Sequence, residues 1–320
     1  MVKIAIAGAN SQLAREVINH LATTGKHEII ALFRKDPESV PSLTGVEWVK
    51  TLFEDKSELV GLLAGVHTLL CFFPAHLDKN SEAQKRLIDT AVEAGVKRYA
   101  PSEWSAGMNL APSLDVIPWY SGKIEIREYL KQINEKTKVL EYCLFQPGWF
   151  LDYLSHPHKT SEHASTFPTL VNFEKGTAIT TQWTHDNPMA YTAVEDIARV
   201  VVRAVDLEGE WPVIGGFRGN QLSVAELIRI GESIRGKKFQ VDLLETKDLQ
   251  AGVLKTDNFS RITLPGVPEE QGEAWSRMAT IGLLQSIERG CWDISDEWNQ
   301  LLPDLKFVKA EELLKKSVPA

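Results

Sequence analysis

The chain has 320 residues, of which 43% are hydrophobic and 24% are charged, and its formal net charge is −8 at pH 7. These proportions are typical of an ordinary globular protein that buries a sizeable core. The acidic balance, without a basic block, argues against nucleic acid as a partner. No apolar run approaches the roughly 20 residues that span a bilayer, so we expect no membrane partner either.

The cysteines indicate the compartment. Cys71, Cys143 and Cys291 are widely spaced and form no metal-binding pattern, so we expect buried free thiols and no metal. The first residues run directly into a strand, and we therefore expect no signal peptide. Together these observations predict a reducing, cytoplasmic location.

The first half of the chain alternates predicted strands and helices. The predicted strands are Val2–Ala7, Glu28–Phe33, Val46–Val49, His67–Phe72, Val96–Ala100 and Val139–Phe145. The predicted helices between them are Gln12–Thr23, Ser57–Leu63, Ser81–Ala94 and Gly122–Ile133. Such alternation requires right-handed crossovers, and it predicts an α/β protein with a Rossmann-type, doubly wound parallel sheet.

The pattern changes after Gln146. The segment Pro147–Tyr191 is rich in aromatic residues, His and Pro, and it predicts loops and short strands over a cleft. The later predicted elements are a helix at Val194–Val205, a strand at Trp211–Ile214, a helix at Ser223–Arg235 and a mostly helical tail at Gln271–Lys316. We therefore predict a nucleotide-binding domain over residues 1–155, completed at about 190–220. Residues 156–190 and 221–320 are predicted to form a smaller, partly interleaved substrate domain.

The turn after the first strand resembles a dinucleotide fingerprint in part. In such a fingerprint, one glycine allows the tight turn, a second allows the pyrophosphate to approach, and a third allows the helix to pack closely. Of these three glycines, this chain has only Gly8. Ser11 and Ala14 occupy the other two positions. Ser11 places a side chain where the phosphate approaches, although its hydroxyl could also donate a hydrogen bond, and the helix N-terminus remains an anion site. The candidate cofactor-binding residues in this segment are Gly8, Asn10, Ser11, Gln12 and Leu13.

The second predicted strand ends in a pair of cations. An NAD site places an acidic residue there, whereas this chain has Arg34 and Lys35, which can pair with a 2′-phosphate. We therefore expect NADP(H) as the cofactor, bound weakly or dispensable if Ser11 obstructs it. The alternative is that both charges are merely solvated at a strand end.

Several segments in order resemble one family. They are IAGANSQLA with ALFRK, then KRYAPSEW, WYSGKIEIREYL, LFQPGWFLDYL and EGEWPVIGGFRGN. Nearly end to end, the chain resembles the fungal NmrA-like proteins, a branch of the atypical short-chain dehydrogenases that includes isoflavone reductase-like enzymes. The resemblance implies an NADPH-binding Rossmann domain with a small C-terminal substrate domain. The family also includes members that sense NADP(H).

The resemblance also implies a catalytic lysine. The matching residue is Lys123, in the helix that follows the PSE-type loop. A lysine near a helix N-terminus is disfavoured by the dipole, and partial burial would lower its pKa further, which suits an acid/base. Tyr120 is a candidate donor beside it, although it precedes Lys123 by three residues and not by four. Ser102 could orient a substrate oxygen, and Glu103 could cap a turn.

Aromatic residues are concentrated beyond two strand ends. The candidate substrate-binding residues are Trp104, Trp119, Trp149, Phe150, Tyr153 and His156. Aromatic walls with a few polar groups suit a flat phenolic ligand, although inter-domain packing would use the same residues. His156, His158 and His163 are not completed by a carboxylate or thiol at metal-site spacing.

Three functions remain open at this point. The first is NADPH-dependent reduction of an aromatic phenolic or polyketide small molecule in fungal secondary metabolism, with Lys123 as acid/base. The second is isomerisation or intramolecular ring closure in the same pocket, without the cofactor. The third is an NADP(H)-sensing regulator.

Overall fold

The computed structural model describes residues 1–262 and 266–317. Its main sheet consists of β1 (Lys3–Ala7), β2 (Glu28–Phe33), β3 (Val46–Lys50), β4 (Thr68–Cys71), β5 (Arg98–Ala100) and β6 (Glu141–Tyr142). The strand order is β3-β2-β1-β4-β5-β6, and every neighbouring pair is parallel. The prediction of a Rossmann-type parallel sheet is confirmed.

The helices of the first half cross between these strands. They are α1 (Gln12–Thr24), α2 (Lys56–Leu62), α3 (Glu82–Glu93) and α4 (Ser121–Ile133). Successive residues of β1 point to opposite faces of the sheet. Ile4 and Ile6 enter one core with α1, whereas Ala5 and Ala7 enter the other core with α2, α3 and α4.

The second half adds shorter elements. The helices are α5 (Val194–Val205), α6 (Val224–Arg235), α7 (Thr246–Gln250), α8 (Gly272–Glu288), α9 (Glu297–Leu301) and α10 (Ala310–Ser317). The strands are β7 (Leu144–Gln146), β8 (Trp149–Phe150), β9 (Val171–Asn172), β10 (Thr177–Thr181), β11 (Met189–Thr192), β12 (Ile214–Gly216), β13 (Asn220–Leu222) and β14 (Gln240–Leu244). They form three small sheets, ordered β14-β10-β9, β13-β11-β8 and β12-β7.

Part of the second half packs against the first half. Helix α5 shares a core with α1, through residues such as Ile197 and Val17, and β12 pairs in parallel with β7. The domain bounds themselves remain a prediction, and residues 263–265 and 318–320 of the predicted substrate domain lie outside the described residues. No helix in the described ranges has the length and apolar character needed to cross a membrane.

Two predicted strands differ from the structure. The strand predicted at Val139–Phe145 is divided at Cys143 into β6 and β7. The strand predicted at Trp211–Ile214 begins only at Ile214, because Trp211 anchors the preceding segment instead. Its amide donates to the Glu141 carboxylate at 2.8 Å, and its indole donates to the Ala204 carbonyl at 2.8 Å.

Candidate active site

The nucleotide turn is held tightly between two strand ends. Gly8 has a φ of +78°, and a Cβ there would lie 3.0 Å from the backbone carbonyl of Phe72. The amides of Gly8 and Ala9 both donate to the Leu32 carbonyl at 3.0 Å. Only glycine combines this conformation with so close an approach, so the turn lies flat against the carboxyl ends of β2 and β4.

Ser11 is the N-cap of α1. Its hydroxyl accepts a hydrogen bond from the Ala14 amide at 3.3 Å, and its own amide donates to the Gly8 carbonyl at 2.9 Å. An N-cap oxygen satisfies one of the helix amides that would otherwise face an anion. The hydroxyl therefore binds the Ala14 amide, one of the N-terminal helix amides that could otherwise bind an anion.

The other predicted residues of the turn have different surroundings. Asn10 is exposed. The Gln12 amide exchanges two hydrogen bonds of 2.9 Å with Ser165. The Leu13 side chain is buried in the core with α5, so only its backbone is available to a cofactor.

Arg34 and Lys35 directly follow β2. Both are exposed, and within residues 1–262 and 266–317 neither has an ion-pair partner. They lie just beyond Leu32, the residue that anchors Gly8 and Ala9. The structure thus places two uncompensated cations beside the nucleotide turn.

A cavity of about 580 Å³ lies at the same edge of the sheet. The predicted residues that line it are Lys123, Tyr120, Trp104, Trp119, Trp149, Phe150 and Tyr153. Phe73 also lines it, and a Cβ at Gly8 would lie 3.2 Å from the Phe73 ring. The nucleotide turn and the cavity therefore meet at Phe73.

Aromatic rings form much of the cavity wall, and three of them besides Phe73 were not predicted. Trp119 lies 5.6 Å from Trp275, Trp149 lies 5.6 Å from Trp292, and Tyr153 lies 4.1 Å from Phe167, measured between ring centroids. These three additional residues come from α8, from the segment after it and from the loop before β9. Nothing in the local sequence signals that they face one space.

Among the described residues that line this cavity, Lys123 is the one lysine, and there is no arginine. It lies in the first turn of α4 and is only 8% exposed. Its amine donates to the carbonyl of Ser102 at 2.8 Å and to the carbonyl of Glu103. Burial lowers the pKa of Lys123 to about 8, opposed by the Glu103 carboxylate and reinforced by the Arg127 guanidinium. A lysine in this state can both give and take a proton near neutral pH.

Tyr120 lies beside this lysine. Its ring centroid is 5.5 Å from the Lys123 amine. Burial raises the pKa of the Tyr120 phenol to about 12, so the hydroxyl stays protonated and acts as a hydrogen-bond donor.

Ser102 lies behind the cavity and does not line it, which corrects its prediction as a substrate contact. Its hydroxyl donates to the Phe73 carbonyl at 2.6 Å, and its backbone amide donates to the Gln84 side chain at 2.8 Å, so both donors are already used. Ser102 therefore contacts the lysine through its carbonyl alone.

Trp104 holds the same loop in an unusual conformation. Its φ of +30° is rare for a bulky residue. Its ring stacks on Phe72 at 4.5 Å and on Phe145 at 5.3 Å, and its indole donates to the Cys71 carbonyl at 2.7 Å. The surrounding contacts impose this strained backbone at the point where the loop presents its carbonyls to Lys123.

His156 also lies outside the cavity lining, which corrects its prediction as a substrate-binding residue. Its Nδ1 atom lies 3.4 Å from the Thr166 hydroxyl, beyond the turn that follows Tyr153. Within the part of the chain that the structure describes, no group of three or more His, Cys, Asp or Glu residues could hold a metal ion. The cysteines Cys71, Cys143 and Cys291 are buried and free.

The profile of the NmrA-like family matches residues 2–280. The chain belongs to the NmrA-like family. Two fungal members are similar to it in sequence. Oxidoreductase BOA1 of Botryotinia fuckeliana is 25% identical over 249 residues, which cover 75% of this chain and 78% of that protein. Oxidoreductase swnN of Metarhizium robertsii is 26% identical over 274 residues, which cover 75% and 76%.

Solved structures share the fold of this NmrA-like protein. AtPrR2 with NADP⁺ and (+)pinoresinol superposes with a TM-score of 0.73 at 20% identity and covers 99% of both chains. The NADPH-dependent quinone oxidoreductase QOR2 of Escherichia coli, complexed with NADPH, superposes with a TM-score of 0.69 at 21% identity and covers 98% of this chain and 99% of its own.

Proposed function

We propose that this NmrA-like protein is a cytoplasmic NADPH-dependent reductase of a flat aromatic, phenolic or polyketide small molecule, acting in fungal secondary metabolism. The observation that carries the proposal is the buried amine of Lys123, which lies in an aromatic cavity that meets the nucleotide turn at Phe73. The fungal relatives named oxidoreductases and the structural neighbours that hold NADP⁺ or NADPH support it.

The turn and the strand end fit NADPH in most respects. Gly8 lets the turn lie against Phe72 without a side chain between them, and Arg34 and Lys35 offer charge to a 2′-phosphate. Ser11 fits less well, because its hydroxyl already accepts from the Ala14 amide. When bound, NADPH would supply the hydride for the reduction.

The chain's own residues handle the proton and the orientation. Two carbonyls hold two of the three N–H bonds of a protonated Lys123, and the third remains for a substrate oxygen in the cavity. Lys123 gives its proton to that oxygen as negative charge develops there, and Tyr120 can donate a second hydrogen bond. The aromatic walls hold a planar ring and exclude water, which strengthens these electrostatic contacts.

Ser11 favours a second candidate function. If the serine cap keeps the pyrophosphate away, the same lysine and pocket would catalyse an isomerisation or intramolecular ring closure without nucleotide. A regulator that only senses NADP(H) is a weaker candidate, because it leaves the lysine and the aromatic cavity without a task.

Product mass distinguishes these candidates. We expect dialysed protein to reduce an aromatic probe only when NADPH is added, with two hydrogens gained per molecule and one NADPH oxidised. Pinoresinol and a naphthoquinone are suitable first probes, since the neighbours' ligand and name suggest them. Turnover without nucleotide to a product of unchanged mass would instead support ring closure or isomerisation, and NADPH binding with no turnover of any phenolic tested would support the sensor.

Replacing Ser11 with glycine should tighten NADPH binding by up to about tenfold, which corresponds to roughly 1.4 kcal/mol. The change frees the Ala14 amide and removes the side chain from the phosphate approach, while a glycine cap costs only a few tenths of a kcal/mol. Calorimetry measures the effect, with Ser11→Ala as the control that removes the hydroxyl and keeps the Cβ. Tight binding by the native protein with no gain in Ser11→Gly would show that Ser11 is no obstacle.

A further inference from the structure

A buried ion pair lies directly behind Lys123. The Glu103 carboxylate accepts two hydrogen bonds from Arg127, at 3.1 Å from Nε and at 2.8 Å from an Nη atom. Glu103 is 1% exposed and Arg127 is 8% exposed. Arg127 also donates to the carbonyls of Ala106 and Gly107, at 3.4 and 3.1 Å. The pair therefore fixes the whole loop after β5 to α4.

Glu103 contacts two cations at once. Its backbone carbonyl accepts from the Lys123 amine, and its side chain binds Arg127, which follows Lys123 by one helical turn on α4. Residues four apart share one face of a helix. A shift of the Glu103 side chain would thus move the carbonyl that holds the lysine.

Charges of opposite sign act on Lys123. The titratable or charged groups that surround it are the Glu103 carboxylate, the Arg127 guanidinium, the Cys71 thiol on β4, the Tyr120 phenol before α4 and His76 on the cavity wall. The carboxylate favours the charged amine and the guanidinium disfavours it, with burial as the largest influence. Either partner alone would therefore bias the titration of Lys123 in one direction.

We propose that Glu103 and Arg127 are positioning residues that orient the Lys123 amine and keep it exchangeable between its charged and neutral forms. The inference rests on the proposed function, in which Lys123 carries the proton. A pair that only fastened the loop and exerted no field at the amine would leave the titration of Lys123 where it is in any variant that folds. If the pair positions Lys123, the titration midpoint of the lysine moves in one direction when Glu103 is removed and in the other when Arg127 is removed.

The test follows the titration of Lys123 by NMR, in protein carrying isotope-labelled lysine and assigned with Lys123→Met. We expect Glu103→Gln to lower the midpoint by about one pH unit, because the guanidinium remains without its counter-charge. We expect Arg127→Met to raise the midpoint by a similar amount, and the double variant to return close to the native value. Glu125→Gln is the matched control, since this carboxylate lies on α4 but is exposed and pairs with Lys85. In this control variant the titration midpoint of Lys123 should not move.

The outcomes separate this inference from the proposed reductase. The titration needs neither substrate nor NADPH, so it stands even if no reduction is found. The pH profile of naphthoquinone reduction should move with the NMR midpoint. A folded Glu103→Gln variant with an unchanged or raised midpoint would overturn the positioning role. That variant is nearly isosteric, so it decides the question even if Arg127→Met fails to fold.

Discussion

Lys123→Met is expected to lower turnover of an aromatic probe by roughly 10²–10⁴-fold, the usual contribution of a positioned acid/base. Methionine keeps most of the side-chain volume against Tyr120 and removes the amine that the Ser102 and Glu103 carbonyls hold. The fold should persist, because methionine fills the same space and the change removes a buried cation without leaving another charge unpaired, since Glu103 keeps Arg127. Steady-state kinetics with saturating NADPH measure the loss.

Lys131→Met provides the matched control, since Lys131 lies near the end of the same helix and is exposed. Turnover by the Lys131→Met variant should equal that of the native protein. A folded Lys123→Met variant with native turnover would move the proton-transfer role to Tyr120, whose phenol also lines the cavity.

Arg34→Glu is expected to weaken NADPH binding by about ten- to a hundredfold while NADH binding changes little. Only NADPH carries the 2′-phosphate, and a hydrogen bond to a charged group contributes about 1.5–3 kcal/mol. Arg34 has no other ion-pair partner among the described residues, so its loss should cost the free protein little stability. Calorimetry with each nucleotide measures the two affinities.

Lys35→Glu, made in parallel, shows whether the neighbouring cation shares the phosphate. Arg229→Glu reverses a charge on the exposed face of α6 and should leave both affinities unchanged. Equal losses for NADPH and NADH in Arg34→Glu would show that Arg34 does not face the ribose.

The strand and helix pattern of the first half was predictable because it depends on local periodicity. Ile4 and Ile6 alternate with Ala5 and Ala7 on a strand buried on both faces, and an apolar run with Gly8 before an amphipathic helix gives a strand, a turn and α1. The end of a strand can likewise be predicted from sequence. The position of Arg34 beside the nucleotide turn therefore followed from the predicted parallel sheet.

The aromatic cavity was predictable only in part. Trp149 was recognised because it follows a strand end, and Trp119 because it lies just before α4. Trp275 and Trp292 lie more than 100 residues further along the chain, and their facing the same space depends on how α8 packs. Local periodicity shows that a helix exists, and it does not show which cavity the helix closes.

The sequence by itself determined the parallel sheet, the glycine turn, the cationic strand end and the lysine at the start of α4. Each of these is set by neighbours within a few residues or by one strand-to-helix unit. Only the tertiary structure decided where the polar side chains point. The Ser102 hydroxyl is bound to the Phe73 carbonyl, and Glu103 is paired with Arg127. A buried polar group takes whichever partner the packing brings within about 3 Å, and that partner can lie anywhere in the chain.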